Sequence, residues 1–235
     1  MGFADTRDMV RLLLACAICL CGIQATAATP TILVLGDSLS AGHGLRTDQG
    51  WVTLLQARLN KHGYPYKVIN ASISGDTTRG GMTRLPRALA RHRPRIVIVE
   101  LGGNDGLRGL PLHQMRGNLA AIIATSRDHG AKVLLVGVRL PPNYGAAYVE
   151  KFHRVYRSLE RDQQVPLVPY LLDGIGGHDN LMQPDRLHPN RQAQGRMLDN
   201  VWPHLVPILQ QVGLKQRKAA SARGWSSNAV PANVL

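Results

Sequence analysis

The sequence predicts an α/β fold, a flavodoxin-like three-layer α/β/α sandwich around a five-stranded parallel sheet. Three observations predict it. Five short segments are apolar along their whole length, the pattern of strands buried on both faces. Segments with helical spacing lie between them. The residues with chemical potential fall just beyond the strand ends, where open parallel sheets bind ligands.

The elements follow in chain order. Ile32–Gly36 is the first strand, within the run Thr31-Ile32-Leu33-Val34-Leu35. Trp51–Lys61 is a helix with Val52, Leu55 and Leu59 on one face. Tyr66–Ser72 is the second strand, and Thr83–His92 is helical. Arg95–Leu101 is the third strand, apolar throughout except at Glu100 and its first residue. Leu112, Met115, Leu119, Ile122, Ile123 and Ser126 recur at helical spacing, with Pro111 at the start. Lys132–Val138 is the fourth strand. Tyr148, Phe152, Val155, Tyr156 and Leu159 mark the next helix. Pro166–Pro169 is a short fifth strand. The last helix runs from about Asn190 towards Leu209, with Pro203 and Pro207 breaking it into turns.

Composition narrows the function classes. With 235 residues and 44% apolar content, the chain has enough for one domain with a proper core. Aromatics are only 5%, so that core is aliphatic. The net charge is +13, but the excess cations are spread along the chain without an aromatic-interleaved stripe, which argues against nucleic acid as a partner. No His-x-x-x-His pair, cysteine cluster or phosphate-binding glycine loop points to a metal or nucleotide cofactor.

The two ends differ from the middle. Arg7 and Arg11 precede an apolar stretch, Leu12 to Ile23, and Ala25-Thr26-Ala27 supplies a cleavage pattern. Residues 1–27 therefore read as a removable signal peptide, which predicts a periplasmic or secreted protein. All three cysteines (Cys16, Cys19, Cys21) fall within it, so the mature chain has no thiol. Residues 28–214 form the domain. The stretch 215–235 carries Lys215, Arg217, Lys218 and Arg223 with no acid, and is expected to be a disordered extension able to make weak contact with anionic membrane. No obligate protein partner is expected.

The chemistry lies in four blocks. Gly36-Asp37-Ser38-Leu39-Ser40 follows strand one, placing Ser38 on a sharp turn where a nucleophilic hydroxyl can face a cleft. Gly75 follows strand two, Asn104 follows strand three, and Asp185-Arg186-Leu187-His188-Pro189 follows strand five. Asp185 can orient His188, and His188 can deprotonate Ser38. The backbone N–H groups of Ser38 and Gly75 and the Asn104 amide can together hold an oxyanion. Each block has a plainer reading: a capped turn, a strand-to-helix loop, the start of the last helix. Their convergence on one sheet edge favours the chemical one. Asp37 and Asp105 read as loop hydrogen-bonders. His178 competes with His188 for the role of base but lacks a proline or helix start to fix it, and His43 lies close enough to Ser38 to meet substrate.

These blocks resemble the SGNH/GDSL hydrolases. The longer segments Asn70–Thr77, Glu100–Gly109 and Leu140–Gly145 are similar to the bacterial thioesterase I/protease I/lysophospholipase L1 (arylesterase) group. The resemblance spans about Pro30 to Leu214. It implies hydrolysis of small-molecule acyl esters and thioesters with broad specificity and no cofactor. It also implies Ser38, Asp185 and His188 as the triad, with Ser38, Gly75 and Asn104 as the oxyanion hole. Arg186 stands where relatives often carry glycine. Two other readings stay open on the residues alone. One is a carbohydrate O-deacetylase on the same fold, disfavoured by the scarcity of aromatic platforms. The other is a basic binding protein without activity, disfavoured by the intact set of five residues.

Overall fold

The computed structural model describes residues 29–224. Five strands, β1 (Thr31–Gly36), β2 (Lys67–Asn70), β3 (Ile96–Glu100), β4 (Lys132–Val136) and β5 (Leu167–Val168), form one parallel sheet in the order β2-β1-β3-β4-β5. That is the doubly wound order the sequence predicts. Seven helices accompany it: α1 (Ser38–Ala41), α2 (Trp51–Lys61), α3 (Thr78–His92), α4 (Gly103–Leu107), α5 (Leu112–Asp128), α6 (Ala146–Gln163) and α7 (Gln194–Gly224). The expected signal segment, residues 1–27, lies outside the described residues.

Alternation along the strands sorts the core into two layers. Ile32, Val34, Ile96, Ile98, Leu134 and Val136 face one side, under α2 and α7. Leu33, Leu35, Val97, Val99, Val133 and Leu135 face the other, under α3, α5 and α6. Both faces are buried, which is why these strands read as unbroken apolar runs. The Trp51 backbone N–H donates to Gln194 Oε1 at 3.0 Å, joining the starts of α2 and α7.

Three elements depart from the sequence reading. The first turn of α3 begins at Thr78, earlier than Thr83, because the Thr77 hydroxyl caps the helix by accepting from the Gly80 N–H at 3.3 Å. The last helix is not broken at Pro203 and Pro207. A 3₁₀ turn at Arg191–Ala193 leads into α7, which runs through both prolines. Its buried stripe of Leu198, Val201, Leu205, Ile208 and Val212 offsets the lost backbone bonds. The backbone also stays helical to Gly224, past Lys215, where a disordered extension is expected. Lys215-Gln216-Arg217-Lys218-Ala219-Ala220 consists of strong helix formers with no breaker.

The end of β1 is where fold becomes site. A Cβ on Gly36 would stand 2.6 Å from Ser40 Cβ and 2.8 Å from Ser72 Oγ. Only glycine lets α1 fold back against the strand and lets the loop after β2 close over both. Gly36→Ala is therefore expected to destabilise the domain by about 1–3 kcal/mol through overpacking. It should also lower ester turnover, since α1 carries Ser38. A urea melt and a steady-state assay on one preparation check both.

Candidate active site

Ser38 is the first residue of α1, directly after its N-cap Asp37. Its Oγ lies 2.9 Å from His188 Nε2. His188 Nδ1 lies 2.6 Å from Asp185 Oδ2. The structure thus brings the three residues into one hydrogen-bonded chain, in which Nδ1–H donates to the carboxylate and Nε2 is left to accept from Ser38. The local turn explains how. Asp185 Oδ1 accepts from the Leu187 N–H at 2.9 Å and the His188 N–H at 3.0 Å, so the carboxylate builds the loop that holds its imidazole. Burial alone would raise the Asp185 carboxyl. The His188 N–H, the His188 imidazole and the Leu187 N–H outweigh it and hold the group at about 2. It stays ionised throughout the neutral range. His178, the competing base, instead stands at the N-cap position of the 3₁₀ turn Asp179–Leu181, with no capping bond from its side chain.

Ser38, Gly75, Asn104 and His188 line a single cleft of about 190 Å³. Gly75 has φ 80°, a left-handed conformation that needs glycine. Arg108 donates to its carbonyl at 2.8 Å. Among the described residues, neither the Ser38 nor the Gly75 N–H donates to a protein acceptor. Asn104 Nδ2 donates to Asp37 Oδ2 at 3.3 Å, which uses one of its two N–H bonds. Leu39, Leu107, Val138, Leu140, Pro141, Leu172 and Leu187 give the cleft an apolar wall, and His43, Ser74 and Arg139 also line it.

Several supporting residues escape a reading of sequence. Arg84, on α3, donates to the carbonyls of Gly36 (3.2 Å) and Ala71 and to Asp76 Oδ2 (2.7 Å). It staples the loop that carries Ser38 to the loop that carries Gly75. No sequence signal marks it. Glu100 is fully buried at the end of β3 and accepts from Ser40 Oγ at 2.7 Å. Here a signal exists, a single acid in an otherwise apolar strand. Asp105 is a loop hydrogen-bonder, as the sequence reading has it: it accepts from the Thr78 N–H at 2.8 Å and hydroxyl at 2.5 Å, tying α4 to the start of α3. His43 packs its ring 4.4 Å from that of His188. Ligand atoms of His43, Asp185 and His188 lie within 4.8 Å of one another, but a cation there would have to displace the bonds to Ser38 or Asp185.

Comparison with known proteins places the chain in a family. The GDSL-like Lipase/Acylhydrolase family profile matches residues 34–196. The chain belongs to this family. It is 52% identical to esterase TesA of Pseudomonas aeruginosa over 86% of this chain and all of that protein. It is 43% identical to thioesterase 1/protease 1/lysophospholipase L1 of Escherichia coli over 78% of this chain and 86% of that protein. A crystal structure of TesA superposes with a TM-score of 0.75 at 54% identity, covering 76% of this chain and 99% of that one. The fold and the hydrolase class read from the sequence are those of the family.

The backbone gives Arg186 a physical reading. Arg186 has φ 55°, in the left-handed region. A Cβ is strained there by roughly 1–2 kcal/mol, which is what glycine avoids. Its guanidinium reaches Asp179 only at 3.7 Å, with both side chains largely exposed, so the pair contributes little. Arg186→Gly should therefore raise stability by about 0.5–1 kcal/mol, once glycine's larger loss of chain entropy is deducted. Chemical denaturation of the two proteins in parallel tests it, and an unchanged or lower midpoint contradicts it.

Proposed function

We propose that this GDSL-family hydrolase cleaves acyl esters and thioesters through a covalent acyl-enzyme on Ser38. The observation that carries this reading is the Ser38–His188–Asp185 chain, with separations of 2.9 and 2.6 Å. His188 Nε2 takes the Ser38 proton as Oγ attacks the acyl carbon. The carbonyl π electrons move to oxygen and form a tetrahedral oxyanion. Collapse expels the alkoxide or thiolate, which receives that proton from His188. Water then attacks the acyl-enzyme by the same sequence, with His188 as base, and releases the acid and free Ser38. Asp185, ionised at neutral pH, stabilises the imidazolium in both halves.

The Ser38 and Gly75 N–H groups and the free N–H of Asn104 are the proposed oxyanion donors. They are fixed before the charge develops, which is the basis of their effect. The apolar wall supports an acyl chain as the part of the substrate that the cleft holds. In this reading residues 1–27 direct export to the periplasm. The basic stretch from Lys215 adds weak attraction to anionic membrane, where each cation near the surface contributes ~1 kcal/mol.

A fluorophosphonate is expected to label Ser38 and abolish hydrolysis of p-nitrophenyl esters, with Ser38→Ala neither labelled nor active. Chelators should leave turnover unchanged. Labelling at another residue, or zinc-dependent recovery after chelation, removes the mechanism. A panel of p-nitrophenyl esters from short to long, palmitoyl-CoA and lysophosphatidylcholine then ranks substrates.

Asn104→Ala should lower kcat and kcat/KM by comparable factors, ~10²-fold, with little change in KM, since its donor acts on charge present only in the transition state. An asparagine that merely stabilises its loop would instead lower the melting temperature and leave turnover in the cold intact.

A further inference from the structure

Two buried acids, Asp37 and Glu100, lie behind the cleft and take no part in the mechanism above. Asp37 is 2% exposed and Glu100 is 0% exposed. The Asp37 carboxylate is fully directed. Oδ1 accepts from the Leu39 N–H at 3.1 Å, and Oδ2 accepts from Asn104 Nδ2 at 3.3 Å. Glu100 Oε2 accepts from Ser40 Oγ at 2.7 Å and from the Asp37 N–H at 3.4 Å, while its Oε1 faces no donor. Burial raises both carboxyls, and they lie close enough for the Asp37 charge to raise Glu100 as well.

We propose that Asp37 is a positioning residue for the oxyanion hole: it fixes the rotation of the Asn104 carboxamide so that one N–H meets its carboxylate and the other faces the cleft. The proposal rests on the donor role given to Asn104 above. A carboxamide has nearly the same shape in both flipped orientations, so packing cannot choose between them. A polar partner can. A carboxylate only accepts, so it selects the orientation that presents nitrogen. The close approach is built in, because a Cβ on Gly103 would lie 3.2 Å from Asp37 Oδ2.

Of the two acids, Glu100 takes a proton first. Burial raises both acids, and the Asp37 charge raises Glu100 further. Asp37 is partly relieved by the Leu39 N–H, by His188, by Asn104 and by Glu100 itself. The remaining titratable neighbour, Tyr156 on α6, has its phenol pushed well up by burial and by Glu100, Asp37 and Asp105, and donates to the Leu101 carbonyl at 2.9 Å. It stays neutral and adds no charge. The Asp37 carboxyl, pushed up to about 6, is ionised above that pH and takes a proton below it. Once protonated it becomes a donor, Asn104 Oδ1 becomes its better partner, and the flipped amide turns oxygen towards the oxyanion. Protonation of Asp37 thus adds a loss of activity on the acid side.

The test uses the full-length enzyme and a short soluble ester, with kcat and KM measured from pH 5 to 9 for wild type, Asp37→Asn, Asp37→Ala, Asn104→Ala and the double variant Asp37→Ala/Asn104→Ala. Asp37→Ala is expected to lower kcat by ~10–10²-fold with KM within about twofold, and to cost nothing further in the Asn104→Ala background, since it acts through that residue. Asp37→Asn does not titrate, and it has one acceptor for two donors, the Leu39 N–H and Asn104 Nδ2. It should lower kcat at pH 8 by several-fold with KM within about twofold, and the acid limb of log kcat/KM should become less steep than in wild type. If Asp37→Ala fails to fold, the Asp37→Asn profile decides alone. Full kcat in Asp37→Ala, additive losses in the double variant, or an unchanged acid slope in Asp37→Asn each overturn the proposal. Normal kcat in Asn104→Ala overturns the donor role itself, which is a separate and distinguishable failure.

Discussion

The register of β1 against β3 governs the placement of everything that follows. Gly36 pairs with Glu100 at the last rung of the ladder, and the Asp37 N–H then donates to the Glu100 carbonyl at 3.2 Å. The strand order reverses here, with β2 on one side of β1 and β3 on the other. Chains leaving neighbouring strands at such a point diverge and leave a crevice. Ser38 lies two residues beyond Gly36, and Asn104 four beyond Glu100. Ser38 and the Asn104 amide are therefore set against each other by sheet hydrogen bonds. Arg84 extends the constraint to the third donor by bonding to both Gly36 and Ala71. His188 and Asp185 are held differently, by a loop that Asp185 itself folds around.

Holding acids at the end of an apolar strand works against stability. A chain of net charge +13 has cations to spare, yet none is paired with Asp37 or Glu100. A guanidinium beside Asp37 would neutralise it better, but would also compete with the carboxamide for Asp37 Oδ2. Backbone N–H groups, Ser40 and the Asn104 amide satisfy most of the pair without adding charge beside the cleft. The cost falls on folding, through two buried carboxyls that leave Glu100 Oε1 unpartnered. Burial of polar groups at the expense of stability is common where geometry serves chemistry.

Much of this was legible in the sequence, for identifiable reasons. The sheet was legible because strands buried on both faces cannot carry polar residues, so Ile96 to Val99 declares itself by composition. The five site residues were legible because each follows a strand, and the strand ends share one edge. What stayed hidden depends on side chains that reach across the fold. Arg84 looks like any charge on an amphipathic helix. The short helices α1 and α4 span too few residues for any periodicity to show. The continuity of α7 through Pro203 and Pro207 depends on contacts with α2 and the sheet that local propensity does not contain. Arg186 is intermediate: its unusual position beside Asp185 was visible, but its left-handed backbone was not.

The size of the cleft bears on how selective such a site can be. About 190 Å³ lies below the ~300–1,000 Å³ of pockets that enclose a whole small ligand. A cleft of that size holds part of a larger substrate and leaves the rest near solvent. Apolar walls such as Leu140, Pro141 and Leu172 discriminate weakly, since one methylene more or less is worth only ~1–3 kcal/mol in a hydrophobic site. Strong discrimination needs buried polar groups that a wrong substrate leaves unpaired. In this cleft Ser38, Gly75, Asn104 and His188 are proposed to act on the acyl carbonyl, a feature that esters and thioesters share, and His43, Ser74 and Arg139 are further polar side chains beside it. Tolerance of the leaving group follows from spending the polar contacts on the transition state. It is the counterpart of fixing Ser38 and Asn104 so firmly by the β1–β3 register.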